Sequence, residues 1–148
     1  MKIVCKLLAI FTLVVSSYTT KAQVATPSKP QLFSRFSNKL PTPVTELGKA
    51  FEAKVGSRIE IAFSNLDFTG IITSSVKRYD NLYSVVIKST SLDNALLSIS
   101  KRINDDKTIT YVGRLINQDY ADGYELVKDN EGNYALNKIQ TNDLLQDQ

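Results

Sequence analysis

The sequence has no histidine, and its one cysteine and one methionine, Cys5 and Met1, both fall within the first five residues. A lone cysteine excludes an internal disulfide framework. Without histidine or a second cysteine there is no Cys–His nucleophile pair, no Ser–His–Asp triad and no zinc site of the usual nitrogen and sulfur kind. Carboxylate chemistry, Ser–Lys chemistry and oxygen-ligated calcium remain.

Long hydrophobic runs are also scarce. The longest, Ile3 to Val15, follows Lys2 and leads through polar residues to Thr20-Lys21-Ala22. That pattern predicts a secretory signal peptide over residues 1–22, cleaved before Gln23. The run is short of the roughly 20 apolar residues that span a bilayer, so no stable membrane span is expected after cleavage. Cys5 precedes most of the run, so a lipid anchor on a cysteine just after it has no support.

A surplus of one charge is missing as well. The 18 basic and 15 acidic residues of the whole chain become equal when Lys2, Lys6 and Lys21 leave with the signal. The inference from a basic protein to nucleic acid therefore has no footing. The pairs Lys77-Arg78 and Lys101-Arg102 read as solvated strand ends.

Residues 23–41, rich in Pro, Ser and Lys, predict a flexible tether on which Phe33 and Phe36 can dock. Thr42 as N-cap, Pro43 in the first helical position and Val44, Leu47, Phe51 and Val55 at helical spacing predict a short helix over 43–55, ending at Gly56. From Arg58 the period becomes two. RIEIAFS, FTGIITSSV and LYSVVIKST read as three strands, joined by a turn at Asn65-Leu66-Asp67 and a loop KRYDN, with Gly70 as a bulge. Ser91 to Ile103 fits strand or helix. The strand is favoured because NDDK and then TITYVGRLIN supply a hairpin partner of matching length. YELVK and YALNK flank Asp129 to Asn133, which predicts a type I turn with Gly132 in a left-handed bulge position, Leu126 opposite Leu136, and Tyr124 and Tyr134 on one face. Residues 144–148 read as a frayed tail.

Four patterns invite a site. DYADGYE gathers Asp119, Asp122 and Glu125 around Gly123, but a calcium loop starting at Asp119 would place Ala121, Tyr124 and Asn130 where it needs an oxygen ligand, glycine and glutamate. A turn between hairpins, with Gly123 supplying a positive φ, explains the stretch better. DNEGN is likewise explained by its hairpin. Ser-x-x-Lys occurs twice, Ser74 to Lys77 and Ser98 to Lys101, but on a strand these partners point to opposite faces. The tyrosines Tyr79, Tyr83, Tyr111, Tyr120, Tyr124 and Tyr134 can form a stacking platform, although cross-strand packing is the commoner use. No catalytic, cofactor-binding or metal-binding residue is assigned, and no cofactor is expected.

KRINDDKTITYVGRLIN, then DGYEL, then NYALNKI, behind a signal ending in KAQ, resembles a group of short secreted proteins from Bacteroidota-type bacteria. The resemblance implies export from a Gram-negative cell and brings no activity or site residue with it.

The expectation is thus a mainly β (α+β) protein, with one antiparallel domain over 42–143 containing six or seven strands and one short N-terminal helix. Its expected role is an exported non-enzymatic module in the periplasm or outside the cell, binding a protein, peptide or glycan and not nucleic acid. The alternatives are a carboxylate-based enzyme or calcium-dependent protein drawing on Glu60, Asp67 and Asp80, and an assembly subunit pairing through a strand edge.

Overall fold

Alternating burial organises the chain in the computed structural model, which describes residues 29–141. The elements in order are β1 (Lys39–Thr42), α1 (Val44–Glu52), β2 (Arg58–Phe63), β3 (Leu66–Tyr79), β4 (Leu82–Ser89), β5 (Leu96–Ile103), β6 (Ile109–Ile116), β7 (Asp122–Lys128) and β8 (Tyr134–Gln140). They build one antiparallel sheet in the order β1-β8-β7-β6-β5-β4-β3-β2. The expected signal peptide and the 144–148 tail lie outside the described residues.

The mainly β architecture with one short helix is as expected, but the described residues form eight strands rather than six or seven. The extra one is β1, inside the stretch read as a tether. Its proline hid it. Asn38 O accepts a hydrogen bond from Lys138 N–H at 2.8 Å, so the alternation of an antiparallel ladder turns Leu40 and Thr42 toward β8 and Lys39 and Pro41 away from it. An outward position on an edge strand needs no N–H, which is where proline is tolerated.

The rest of the described part of that stretch is docked, not loose. Phe33 is fully buried, and its ring meets Tyr124 edge-on at 5.1 Å between centroids. Burial of one such side chain is worth about 2–3 kcal/mol. Leu32 and Phe36 pack around it.

The helix is shorter than expected at both ends. Pairing with β8 draws Thr42 into β1, where its hydroxyl donates to Leu40 O at 3.1 Å, and Pro43 takes the N-cap position without a side-chain cap. At the other end Ser57 N–H donates to Lys54 O and Gly56 N–H to Ile72 O, returning the chain at once to the sheet. Leu47 and Phe51 face the core as the spacing predicts, with Ala50 buried beside them, but Val44 stays 48% exposed, and Val55, 57% exposed, lies beyond the helix end.

The concave side of the sheet is filled by α1 and the docked segment. Leu47, Ala50 and Phe33 share one core with Ile61, Phe63, Phe68, Ile72, Ile87, Leu97, Ile99 and Tyr124. The curl brings strands close: a β-carbon on Gly70 would lie 2.6 Å from Lys88 O, and one on Gly113 2.6 Å from Ser98 O. Gly70 is therefore needed for close approach and is not the bulge expected there. The register shifts instead fall between Ile72 and Ser74 and between Lys77 and Tyr79.

The ambiguous segment resolves into a turn followed by strand β5. Ser89 Oγ accepts hydrogen bonds from Ser91 N–H and Leu92 N–H, and Asp93 and Asn94 take φ of 41° and 59°. The turn expected at Asn65-Leu66-Asp67 is one residue earlier, at Ser64-Asn65, with Ser64 at φ 52° and Phe63 paired to Leu66.

Candidate functional site

A groove of about 800 Å³ lies where the two ends of the sheet approach each other. The Cα atoms of β1 and β2 come within 8 Å, yet the strands are the two termini of the sheet order and do not pair. Pro41, Pro43, Val44, Ala62 and Ala135 supply apolar surface, and Lys39, Glu46, Ser64, Asp129 and Asn133 supply polar groups.

Each acidic group in the groove is committed to the protein itself. Glu46 Oε1 accepts a hydrogen bond from Lys49 Nζ at 2.6 Å and Oε2 from Ala62 N–H at 3.1 Å, and these bonds, Lys49 first, hold its pKa below the usual value. The second bond covers an outward N–H of β2 and so blunts that edge. Asp129 Oδ1 accepts from Asn133 N–H and Glu131 N–H, the former being the main reason its pKa is lowered. Both carboxylates are thus acceptors kept in the charged form, which suits them to positioning and not to donating a proton near neutrality. By the alternation of β1, Lys39 N–H and C=O and Pro41 C=O point away from β8 on the groove side, and β2 does not pair with them.

The patterns singled out in the sequence go elsewhere. DYADGYE does not act as one unit. Asn117 to Tyr120 makes the turn, with Asp119 N–H donating to Asn117 Oδ1, while Asp122 and Gly123 already belong to β7. Gly123 has no positive φ. Instead, a β-carbon there would lie 2.8 Å from Ile116 Cγ2 and 2.9 Å from Leu115 O. Glu125 pairs with Arg114 at 3.0 Å, and Asp122 is fully buried beneath the N-terminal segment. The carboxylates of Asp122 and Glu125 thus serve separate partners, and that of Asp119 stands exposed in the turn. Among the described residues no group of three or more His, Cys, Asp or Glu is placed to hold a metal ion.

Ser74 and Ser98 pair with Val86 on the convex face, whereas Lys77 and Lys101 pair with Tyr83 on the other. Lys77 Nζ bonds Asp80 at 2.9 Å, and Lys101 Nζ lies 4.9 Å from the Phe51 ring centroid, so neither approaches its serine. Of the tyrosines, Tyr111, Tyr124 and Tyr134 are core. Tyr134 Oη accepts from Tyr111 N–H at 3.0 Å, and Tyr124 Oη donates to Ser37 O at 2.7 Å. Tyr79 alone is largely exposed, at 71%. Glu60, Asp67 and Asp80 are exposed at separate places. No sequence signal marked Pro41, Val44 or Ala62 as groove residues, because only the curl of the sheet brings them together.

Comparison of the chain with protein-family models, with curated proteins and with solved structures gives no match. Among the described residues no helix is long and apolar enough to cross a membrane.

Proposed function

We propose that the protein is an exported, non-enzymatic binding module of the envelope or exterior, and that the groove between β1 and β2 receives an extended polypeptide segment. The observation that carries this reading is the groove's composition. Small apolar side chains and two prolines line it, unpaired main-chain groups border it, and its carboxylates are already bonded. An extended peptide supplies the matching alternation of main-chain hydrogen bonds and side chains. A glycan ordinarily stacks on an exposed aromatic ring, and among the described residues the one aromatic lining this groove, Tyr134, is buried. Carboxylate catalysis has less support, since neither Glu46 nor Asp129 is held in the protonated form that a general acid needs.

The test is selection of peptides on the mature protein from a random display library. Val44→Asp should weaken the selected peptides at least tenfold without lowering the melting temperature, because Val44 is half exposed. Peptides indifferent to that change would remove the groove from the reading. Export is checked separately by mass spectrometry of the protein from its native host, which should find an N-terminus near Gln23; an intact Met1 would argue for an uncleaved anchor.

The same unpaired edges support a second reading, an assembly subunit that pairs strand to strand. Concentration-dependent dimerisation in sedimentation, weakened by Lys39→Pro but not by Val44→Asp, would favour it.

A further inference from the structure

The convex face carries a second pocket, of about 300 Å³, between the β3–β4 and β5–β6 hairpin tips. Its lining is Tyr79, Asn81, Leu82, Arg102, Asn104 and Asp105. The register explains why these converge. Tyr79 pairs with Leu82, and Leu82 with Arg102, so the three stand in one row on one face. With neighbouring strands about 4.8 Å apart, Tyr79 and Arg102 stand about 10 Å from each other at the backbone, with Leu82 as the floor between them.

The polar groups are arranged to leave both donors and acceptors facing a ligand. Asn81 Nδ2 donates to Ile103 O at 3.2 Å, and Asn104 Nδ2 lies 2.9 Å from both Thr108 Oγ1 and Thr110 Oγ1. One N–H of Asn81 and both of Asn104 are thereby taken, and the two Oδ1 atoms remain as acceptors beside the second Asn81 N–H. Arg102 and Asp105 make no side-chain hydrogen bond or ion pair among the described residues. Tyr79, the most exposed large apolar side chain described, offers its ring face.

We infer that this pocket binds one pyranose ring of a neutral oligosaccharide. A sugar has an apolar C–H face that stacks on an aromatic ring, and hydroxyls that donate and accept at once. Here Tyr79 supplies the stacking surface, Arg102 the donors, and Asp105 with the two asparagine carbonyls the acceptors. Arg102 and Asp105 cancel in charge, which suits a neutral sugar over an anionic one. The volume is at the low end for ligand sites and matches a single ring. The pocket shares no residue with the groove between β1 and β2, so this inference stands apart from the peptide reading.

The experiment is amide NMR titration of the mature protein with cellotetraose, maltotetraose, mannotetraose and chitotetraose, with tetragalacturonate as the anionic probe. At least one neutral probe should shift Asn81, Leu82, Arg102, Asn104 and Asp105. Tyr79→Ala and Arg102→Gln should each weaken it at least tenfold while leaving the melting temperature unchanged. Shifts with none of the neutral probes, shifts elsewhere, or affinity indifferent to Tyr79→Ala would overturn the inference. Binding of tetragalacturonate alone, lost in Arg102→Gln but kept in Tyr79→Ala, would replace sugar recognition by charge pairing and overturn it equally.

Discussion

The carboxylate of Asp122 accepts a hydrogen bond from the main-chain N–H of Phe33 at 3.0 Å, 89 residues away in sequence, and another from Leu32 N–H at 2.7 Å. Lys138 Nζ holds the other side of the same turn, donating to Phe33 O at 2.8 Å and Phe36 O at 2.7 Å. An acceptor thus meets the free N–H groups of one short turn and a donor its C=O groups, Phe33 O also accepting from Phe36 N–H within the turn, while Phe33 fills the core between them. These contacts turn a polar, proline-rich stretch into part of the domain.

Asp122→Ala should therefore destabilise the protein by roughly 3 kcal/mol, since it leaves two N–H groups without an acceptor where little water reaches. Asp119→Ala, in the exposed β6–β7 turn, should cost well under 1 kcal/mol. Urea unfolding of the two variants checks the contrast. Equal losses would mean that Asp122 does not anchor the segment.

Millimolar calcium should leave the melting temperature unchanged, because Asp122 is bonded to the buried turn at Leu32–Phe33 and Glu125 to Arg114, which leaves Asp119 alone and exposed. A site with a dissociation constant near 10 µM would add about 2.7 kcal/mol at hundredfold excess. That corresponds to a shift of several degrees in a domain of this size, which differential scanning calorimetry would detect.

Gly132 sits at φ +89°, and a β-carbon there would meet only Lys128 Cε, at an ordinary 3.7 Å. Backbone conformation is then the only cost of a side chain. Gly132→Val should lose about 1–2 kcal/mol in urea unfolding, and Glu131→Ala in the same exposed loop much less. Comparable losses would contradict the bulged turn closed by Asp129 N–H to Asn133 O at 2.9 Å.

Burial first, and then the nearby Asp122, push the Tyr124 phenol up to about 12 from its ordinary 10. The folded state therefore binds this proton more tightly than the unfolded chain. Its contribution is fully present below pH 10 and is lost as pH rises toward 12, by roughly 2–3 kcal/mol at the end of that range. Stability measured from pH 9 to 12 should fall, and Tyr124→Phe should flatten the fall while losing the bond to Ser37 O at every pH. An unchanged slope in that variant would place the alkaline loss on other groups.

Local pattern was enough for the elements that make their own case. Alternation marked β2 to β4, and the loop Asp129 to Asn133 specified its hairpin to the residue, with Leu126 opposite Leu136 and Tyr124 and Tyr134 buried on one face. Both depend on the period of the strand and on one positive φ, which neighbouring residues determine. Tertiary structure decided the rest. Whether Lys39–Thr42 is tether or strand depends on β8 offering an edge where Pro41 needs no N–H. Whether Asp122 is turn residue or anchor depends on Phe33 arriving from 89 positions upstream. The groove exists only because the sheet curls, and the Tyr79 pocket because strand register sets two hairpin tips side by side; both set residues distant in the chain against one another, and such proximity leaves no mark in local composition or spacing.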